Sequence, residues 1–319
     1  MTKVFIAAKI PDKAYNTLTH AGIDVQVYAG SGLIQKAALR TAVTDIDVLI
    51  TALSTQVDQE IIDAAPKLKL IANYGAGFNN IDAAYARTKN IAVTNTPFVS
   101  TDSTAELTVG LILAVSRRIV AGDQLMQTQG FDGWAPLFFL GHQVSGKTLG
   151  IIGMGQIGQG VAKRMRGFGM HILYYQRQPL APELEKELGA TYTDFDNLIQ
   201  TADYVTIHVP LVPATKHLIN AATFKQMKSS SFFINAARGP IVDEKALAQA
   251  IKAKEIAGAA LDVYEHEPDV EPELKHLPNV VLEPHIGNAT IEARDAMAAI
   301  VADNTIAIAQ NKQPKYIVN

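Results

Sequence analysis

Short apolar runs alternate with stretches of helical periodicity over residues 1–100 of the chain. The apolar runs are rich in β-branched and aliphatic side chains, and they cover residues 4–8, 25–28, 48–52, 68–72 and 91–94. Strands at this spacing, separated by helices, are typical of βαβ units and predict a parallel sheet. We therefore expect residues 1–100 to form a small α/β domain.

A second series of strands begins near residue 148 and leads directly into a glycine-rich turn. Gly153, Gly155 and Gly158 have the spacing G-x-G-x-x-G, and a helical pattern and a strand at residues 172–175 follow. In such a strand–turn–helix unit the glycines allow a tight turn, close approach of a pyrophosphate and packing of helix on strand. The helix N-terminus then directs free N–H groups at the phosphates. This context predicts a dinucleotide site that includes Gln156 and Ile157.

Later elements indicate how the chain divides. A long apolar helix begins near Ser103, further strands cover residues 204–208, 231–235, 257–262 and 280–282, and a helix covers residues 291–310. Because the second sheet is complete by His285, the last helix is expected to pack on the first domain. We predict two Rossmann-like or flavodoxin-like, doubly wound parallel-sheet domains: a substrate-binding domain of residues 1–100 and 290–319, and an inserted dinucleotide-binding domain of residues 101–289. Ligands of such sheets bind at the carboxyl ends of strands, so we expect the active site in the cleft between the domains.

Composition excludes several classes of protein. The 319 residues are 48 % hydrophobic and 18 % charged, with a formal net charge of −3. No basic patch suggests a nucleic-acid or membrane-surface partner. The chain has no cysteine, which excludes disulfides and thiol chemistry, and no metal site is expected. The first apolar run is too short for a signal peptide and no segment approaches a membrane span, so a cytoplasmic protein is expected.

Polar residues that suit acid–base chemistry follow the last predicted strands. Arg238, Asp262, Glu267 and His285 each lie at or beyond a strand end. An arginine fork can clamp a carboxylate and polarise a carbonyl, and a histidine can deliver a proton near neutral pH. A glutamate beside that histidine would orient the ring and favour its protonated form. Together they suggest hydride transfer to a carbonyl beside a nicotinamide.

These segments resemble the D-isomer-specific 2-hydroxyacid dehydrogenases in order and spacing, over essentially the whole chain. The motifs that carry the resemblance are YGAGFNNID at 74–82, GMGQIG at 153–158, NAARG at 235–239, LDVYEHEP at 261–268 and PHIG at 284–287.

The resemblance implies roles for individual residues. Arg238, Glu267 and His285 would form the catalytic triad, and Asp262 would hold the nicotinamide carboxamide. Backbone N–H groups around Ala76 and Gly77 would bind the substrate carboxylate together with Arg238. The remaining residues expected beside the cofactor are His208, Val209, Pro210, Ala236 and Gly287.

The motif that contains the glutamate offers more than one titratable residue. Glu265 and His266 precede Glu267 directly. The pairing of glutamate with the following proline favours Glu267 as the member of the triad.

The end of the second strand of the dinucleotide domain bears on cofactor choice. NAD-specific sites carry an acidic residue about 20 positions after the glycines, which binds the ribose 2′-hydroxyl. Here residues 174–179 read YYQRQP, with Gln176 and Arg177 and no carboxylate. A carboxylate would repel a 2′-phosphate, whereas Arg177 would pair with it. The segment resembles that of the NADPH-dependent glyoxylate/hydroxypyruvate reductases, so NADPH is expected over NADH unless Arg177 points into solvent.

The expected activity is NAD(P)H-dependent reduction of a small 2-oxo acid, such as glyoxylate or hydroxypyruvate, to the D-2-hydroxy acid. Trp134 lies in a segment that resembles a loop reaching the partner's active site in glyoxylate reductases, which implies a homodimer. A bulkier branched or aromatic 2-oxo acid is one alternative, since Phe138, Phe139 and Leu140 could line its pocket. A dinucleotide-sensing binding protein of the co-repressor type is another. A formate dehydrogenase is disfavoured because Glu267 stands where that group has glutamine.

Overall fold

The computed structural model describes residues 1–52 and 55–319. It divides the chain into two compact units, residues 1–100 with 289–319, and residues 101–288. Each unit is built on one sheet in which every paired strand is parallel to its neighbour. The predicted class of fold, two parallel-sheet α/β domains, is confirmed.

The first unit is a five-stranded sheet with helices on both faces. Its strands are β1 (Lys3–Ile6), β2 (Asp24–Val27), β3 (Val48–Ala52), β4 (Leu70–Tyr74) and β5 (Ala92–Thr94). Its helices are α1 (Asp12–His20), α2 (Lys36–Ala42), α3 (Gln59–Asp63), α4 (Ala83–Thr88) and, from the end of the chain, α12 (Ile291–Ala309). The strand order β2-β1-β3-β4-β5 is that of flavodoxin-like folds.

Alternation of side chains along β1 explains why this sheet has two cores. Val4 and Ile6 face one side, where Met297 of α12 is fully buried against them and against α1. Phe5 faces the opposite side and packs in the other core with Leu39 of α2. Strand residues point alternately to the two faces of a sheet, so a run of consecutive apolar residues requires helices on both. The helix at the end of the chain therefore completes the core of the first unit.

The second unit is a seven-stranded sheet. Its strands are β6 (Thr148–Ile152), β7 (His171–Tyr175), β8 (Ala190–Tyr192), β9 (Tyr204–Ile207), β10 (Phe232–Asn235), β11 (Gly258–Leu261) and β12 (Val280–Leu282). Its helices are α5 (Thr101–Arg117), α6 (Ile119–Thr128), α7 (Gln156–Gly167), α8 (Pro182–Leu188), α9 (Phe195–Thr201), α10 (Ala221–Gln226) and α11 (Glu244–Lys252). The order β12-β11-β10-β9-β6-β7-β8 is the Rossmann order with one strand added beyond the sixth.

Two features of the second unit differ from the sequence-based prediction. Helix α5 begins at Thr101, so Ser103 lies buried within its first turn rather than at its start. Helix α6 was not predicted, and none of its residues is buried within the chain. The apolar side chains of α6 face outward. They therefore do not form the periodic core-facing pattern that predicts a helix from sequence. Within the ranges that the structure describes, no helix is long and apolar enough to cross a membrane.

Candidate active site

The loops that follow β10, β11 and β12 bring three ionisable side chains into one group. Arg238 follows β10, Glu267 lies in the loop after β11, and His285 follows β12. These three strands are neighbours in a parallel sheet, so their carboxyl ends meet at the same edge. Topology therefore gathers residues that are up to 47 positions apart in sequence, from 238 to 285.

Glu267 and His285 are in direct contact. Nδ1 of His285 lies 2.8 Å from Oε2 of Glu267, and the other carboxylate oxygen accepts the backbone N–H of Tyr264 at 3.1 Å. Burial alone would raise the pKa of Glu267, but the hydrogen bond and charge of His285, the Tyr264 N–H and the charge of Arg238 lower it below its ordinary value. Glu267 is thus held as a carboxylate. With Nδ1 of His285 donating to it, Nε2 is the nitrogen that can exchange a proton.

The backbone at His285 is held by Asp262. His285 has a left-handed conformation with φ 56°, and the N–H groups of the next two residues, Ile286 and Gly287, donate to the two oxygens of Asp262 at 2.6 and 2.8 Å. Asp262 is 1 % exposed; burial raises its pKa, and the two N–H groups oppose that rise. In this structure Asp262 fixes the turn that presents the imidazole. Its predicted contact with a nicotinamide carboxamide stays a prediction.

The side chain of Arg238 is half-buried, and its charge acts on Glu267 of this pair. Its Nη1 donates to the carbonyl oxygen of Ala237 at 2.6 Å. Burial lowers the pKa of Arg238, and the charge of Glu267 opposes the shift. Asn235, the last residue of β10, shapes the loop by donating to the Arg238 carbonyl and accepting the Ala237 N–H. A cation that is shielded from water and anchored in this way is suited to binding an anionic group.

Gly239 sets the distance between the Arg238 loop and the Glu267 loop. A Cβ atom placed on Gly239 would lie 1.8 Å from the carbonyl carbon of Tyr264, so the two backbones are in contact there. The hydroxyl of Tyr264 donates to the Glu283 carbonyl oxygen at 2.7 Å, which ties the same loop to the strand before His285. The sequence marks Gly239 within a motif, but this close approach is visible only in the structure.

The structure distinguishes Glu267 from the adjacent titratable residues Glu265 and His266, which contact other groups. Glu265 contacts a different histidine, with its Oε1 2.6 Å from Nε2 of His217. His266 is exposed, and its carbonyl oxygen accepts the Asp269 N–H. Glu267 is therefore the carboxylate of this loop that reaches His285. The contact of His217 with Glu265 was not predicted, because nothing in the sequence around His217 indicates a partner 48 residues away.

The glycine loop after β6 fits the phosphates of a dinucleotide. Gly153 has φ 96°, and a Cβ there would lie 2.6 Å from the His208 carbonyl oxygen, while a Cβ on Gly158 would lie 2.3 Å from the Gly153 carbonyl oxygen. Above Gly155 no atom lies within 4 Å of the Cβ position. Gly155 is also the N-cap of α7 and has no side chain to cap it. The first N–H groups of α7, from Gln156, Ile157 and Gly158, can thus meet an anion.

The residues after β7 lie beside this loop. Gln176 accepts the Met154 N–H at 3.2 Å and donates to the Gln178 carbonyl oxygen at 2.7 Å. Arg177 is exposed, and among the described residues it has no hydrogen bond or ion pair. Its guanidinium is therefore available to a ligand at this position.

The segment after β9 packs against the glycine loop. Nε2 of His208 lies 3.0 Å from Oγ1 of Thr206, and its Nδ1 is buried with no hydrogen-bond partner in the described chain. Burial lowers the pKa of His208 to about 4, so the ring is neutral at physiological pH. Val209 lies beside Gly153, and Pro210 accepts the Thr215 hydroxyl. The orphaned Nδ1 is a polar atom that a bound ligand could satisfy.

Ala236 and Gly287 lie in the loops that hold the ionisable group. Ala236 is buried directly after β10. The carbonyl oxygen of Gly287 accepts the hydroxyl of Thr104 in α5 at 3.1 Å. Their predicted contacts with a cofactor stay predictions.

Ala76 and Gly77 belong to the first unit, where they follow β4. Their carbonyl oxygens accept the side-chain amides of Asn95 and Asn73, each at 2.7 Å. Among the described residues their N–H groups donate to no other group. Trp134, in the second unit, is 86 % exposed. Whether these residues meet a substrate, and whether the site lies between the two units, stays a prediction.

Residues 1–52 and 55–319 contain no group of three or more acidic or histidine side chains that could hold a metal ion.

Comparisons with known proteins show the family of the chain. The family model of the D-isomer specific 2-hydroxyacid dehydrogenase NAD binding domain matches residues 109–287. A Staphylococcus saprophyticus protein whose name places it among the 2-hydroxyacid dehydrogenases is 57 % identical over 319 residues and 100 % of both chains. The chain therefore belongs to the D-isomer specific 2-hydroxyacid dehydrogenase family, which supports NAD(P)-dependent 2-hydroxyacid dehydrogenase or reductase activity.

Solved structures extend the comparison. A crystal structure of a Thermus thermophilus protein has a TM-score of 0.94 at 37 % identity and covers 100 % of both chains. The NADPH-dependent glyoxylate/hydroxypyruvate reductase of Sinorhizobium meliloti, solved in complex with NADP and malonate, has a TM-score of 0.84 at 29 % identity. That match covers 99 % of this chain and 96 % of the reductase.

The buried His208 predicts a specific acid sensitivity of the fold. Its pKa is about 4 in the folded protein and near 6.5 when unfolded, so the unfolded state takes up the proton first as pH falls. The contribution of neutral His208 to the free energy of unfolding is complete above pH ~6.5 and is lost as pH falls toward ~4. When the pH is lowered from 7 to 5, we expect the free energy of unfolding to fall by about 1 to 2 kcal/mol less in His208→Gln than in wild type. Urea unfolding at both pH values measures this.

The exposed His276 provides the control. His276→Gln should follow the wild-type pH dependence. Equal losses in wild type and His208→Gln would show that His208 is not held neutral by burial.

Proposed function

We propose that this protein reduces a small 2-oxo acid, such as glyoxylate or hydroxypyruvate, to the D-2-hydroxy acid and prefers NADPH to NADH. The observation that carries the proposal is the 2.8 Å contact of Glu267 with His285, within reach of the charge of Arg238. A bound reduced nicotinamide supplies the hydride. What remains for the protein is to bind the acid, polarise its carbonyl and provide a proton to the carbonyl oxygen.

Each residue of the group has one of these tasks. His285 gives the proton from Nε2 to the oxygen as the carbonyl is reduced. Glu267 holds the ring through the contact of its Oε2 with Nδ1 of His285, which leaves Nε2 directed away from the carboxylate. Arg238 binds the carboxylate of the 2-oxo acid and polarises the adjacent carbonyl. In the oxidative direction His285 accepts the proton instead.

The N–H groups of Ala76 and Gly77 support a further contact. They have no partner in the described chain, and adjacent N–H groups that point outward form an anion-binding concavity. We assign them to the substrate carboxylate, together with Arg238. The Asn95 amide donates to the carbonyl oxygen of Ala76, which shares a peptide plane with the Gly77 N–H, so this contact fixes the direction of that N–H.

The preference for NADPH rests on Arg177 and Gln176. No carboxylate occupies the end of β7 to bind a 2′-hydroxyl or repel a 2′-phosphate. Gln176 already binds the glycine loop, and Arg177 is exposed with no partner among the described residues. The structurally similar S. meliloti reductase was solved with NADP. A free guanidinium at this position suits a phosphate better than a hydroxyl.

An exposed apolar surface supports a homodimer. It is formed by α6 and the segment that follows, and its members that are more than half exposed are Ile119, Met126, Phe131, Trp134, Leu137 and Leu140. Helix α6 buries no residue within the chain. Contiguous apolar surface of this kind marks a protein interface. We assign it to a second copy of the chain, with Trp134 reaching the partner's site.

The cofactor proposal predicts a selective effect of Arg177→Ala. Losing a charge-assisted contact with the 2′-phosphate should raise KM for NADPH about 10- to 100-fold and leave KM for NADH unchanged. Absorbance of reduced nicotinamide, followed with glyoxylate, hydroxypyruvate and a branched 2-oxo acid, measures both constants.

Lys163→Ala is the matched control, since Lys163 is an exposed cation on α7. It should change neither constant. A wild type that prefers NADH would disprove the role of Arg177 and leave the acid–base group intact. Tight cofactor binding without turnover of any 2-oxo acid would favour a dinucleotide-sensing protein instead.

The acid–base proposal predicts a different signature for His285 and Arg238. His285→Ala should lower kcat by about 10² to 10⁴, with the binding of cofactor retained, because it removes the proton donor. Arg238→Ala should lower kcat and raise KM for the 2-oxo acid together, since this side chain both binds and polarises. Steady-state kinetics and cofactor titration measure these changes. Near-full activity of His285→Ala would refute the mechanism.

A further inference from the structure

Glu244 is a buried carboxylate to which the mechanism above gives no task. It is the first residue of α11 and is 4 % exposed. Its Oε1 accepts the backbone N–H of Glu265 at 2.6 Å. Burial raises its pKa, while the backbone N–H groups of Glu265 and Glu271 oppose the rise. Among the described residues no cation pairs with it.

The N–H group that donates to Glu244 belongs to the loop that carries Glu267. Residues 264–271 lie between β11 and the short helical turn that begins at Pro272, with Glu267 near the middle. Glu265 precedes Glu267 by two residues, so the hydrogen bond with Glu244 restrains the backbone directly before Glu267.

Side chains on this loop point in defined and different directions. Glu265 is directed to His217 at 2.6 Å, and Glu267 is directed to His285 at 2.8 Å. The N–H of Tyr264 also donates to Glu267. Residues two apart on an extended segment share a side of the backbone unless the chain turns between them. The backbone must therefore be held firmly at Glu265 for the carboxylate of Glu267 to reach the imidazole.

The cost of burying Glu244 indicates what the contact provides. A buried carboxylate is unfavourable unless hydrogen bonds compensate for the lost water, and here the backbone N–H of Glu265 does so. Glu244 is not required to cap α11, because Asp243 already accepts the Ala246 N–H at that terminus. The contact with the Glu265 N–H is thus the specific interaction that this carboxylate makes in the structure.

We propose that Glu244 is a positioning residue that holds the loop of residues 264–271 so that Glu267 reaches His285. The inference rests on the proposed function for its catalytic consequence, but its structural part can be tested without turnover. A residue that only stabilised the fold would affect turnover independently of Glu267. A positioning residue at 244 affects turnover through Glu267.

Hydrogen exchange of the holoenzyme tests the structural part. In Glu244→Ala, peptides that cover residues 264–271 should exchange about tenfold faster than in wild type, while peptides from β6 and α7 keep their protection. Glu244→Gln retains an acceptor oxygen for the Glu265 N–H and should restore part of the protection. Glu273→Gln is the matched control, since Glu273 is an exposed glutamate paired with Lys252 at the end of α11. Unchanged exchange in Glu244→Ala would overturn the proposal.

A double-mutant cycle tests the catalytic part. Turnover of the 2-oxo acid is expressed per cofactor-binding site, so that a loss of folded protein does not count as a loss of rate. Glu244→Ala should lower kcat about tenfold or more, since small misplacements of a catalytic group are costly. The same substitution in a Glu267→Gln background should have little further effect, because the carboxylate that Glu244 positions is already absent.

The outcomes separate the two proposals. If Glu244→Ala slows Glu267→Gln as much as it slows wild type, Glu244 does not act through Glu267 and the inference fails. If wild type reduces no 2-oxo acid, the proposed function fails, and the exchange measurement still decides whether Glu244 holds the loop.

Discussion

The hydrogen bond between Glu267 and His285 constrains the whole carboxyl edge of the second sheet. It joins side chains from loops that leave two different strands, so both loops must be held to within a fraction of an ångström. Asp262 holds the turn after β12 through the N–H groups of Ile286 and Gly287. The backbone contact of Gly239 with Tyr264 holds the loop after β11 against the loop that carries Arg238. Each support acts on backbone atoms of the loop that it holds, which fixes position more firmly than contacts between flexible side chains.

The strand order explains why one sheet can provide both a dinucleotide site and an acid–base group. The glycine loop, Gln176 and His208 follow β6, β7 and β9, which are neighbours on one side of the sheet. Arg238, Glu267 and His285 follow β10, β11 and β12 on the other side. All the strands are parallel, so both sets of loops emerge at the same edge. A nucleotide that extends along this edge from the glycine loop would bring its reactive end toward the acid–base group.

The features of the fold and of the candidate site that depend on local sequence were predictable. The features that depend on contacts between residues distant in sequence were not. Consecutive apolar residues such as Ile151 and Ile152 predict a strand covered on both faces, and the glycine spacing predicts the loop after it. The class of fold followed from such signals, and the family followed from motifs shared with known enzymes. By contrast, the contacts of Glu265 with His217 and of Asp262 with Gly287 join residues 48 and 25 positions apart. Helix α6 escaped prediction because none of its residues is buried within the chain, so no stripe of core-facing apolar residues marks it as a helix.

The turnover number for 2-oxo acid reduction, compared between wild type and Glu267→Gln at saturating nicotinamide cofactor, tests the central claim most directly. The glutamine keeps the size of the side chain and removes the carboxylate that contacts Nδ1 of His285 at 2.8 Å. The account predicts that kcat falls about tenfold or more in Glu267→Gln, because the imidazole is no longer held in place, while the affinity for the nicotinamide cofactor is unchanged. An unchanged kcat would contradict the account, because Glu267 would then have no influence on the proton transfer by His285.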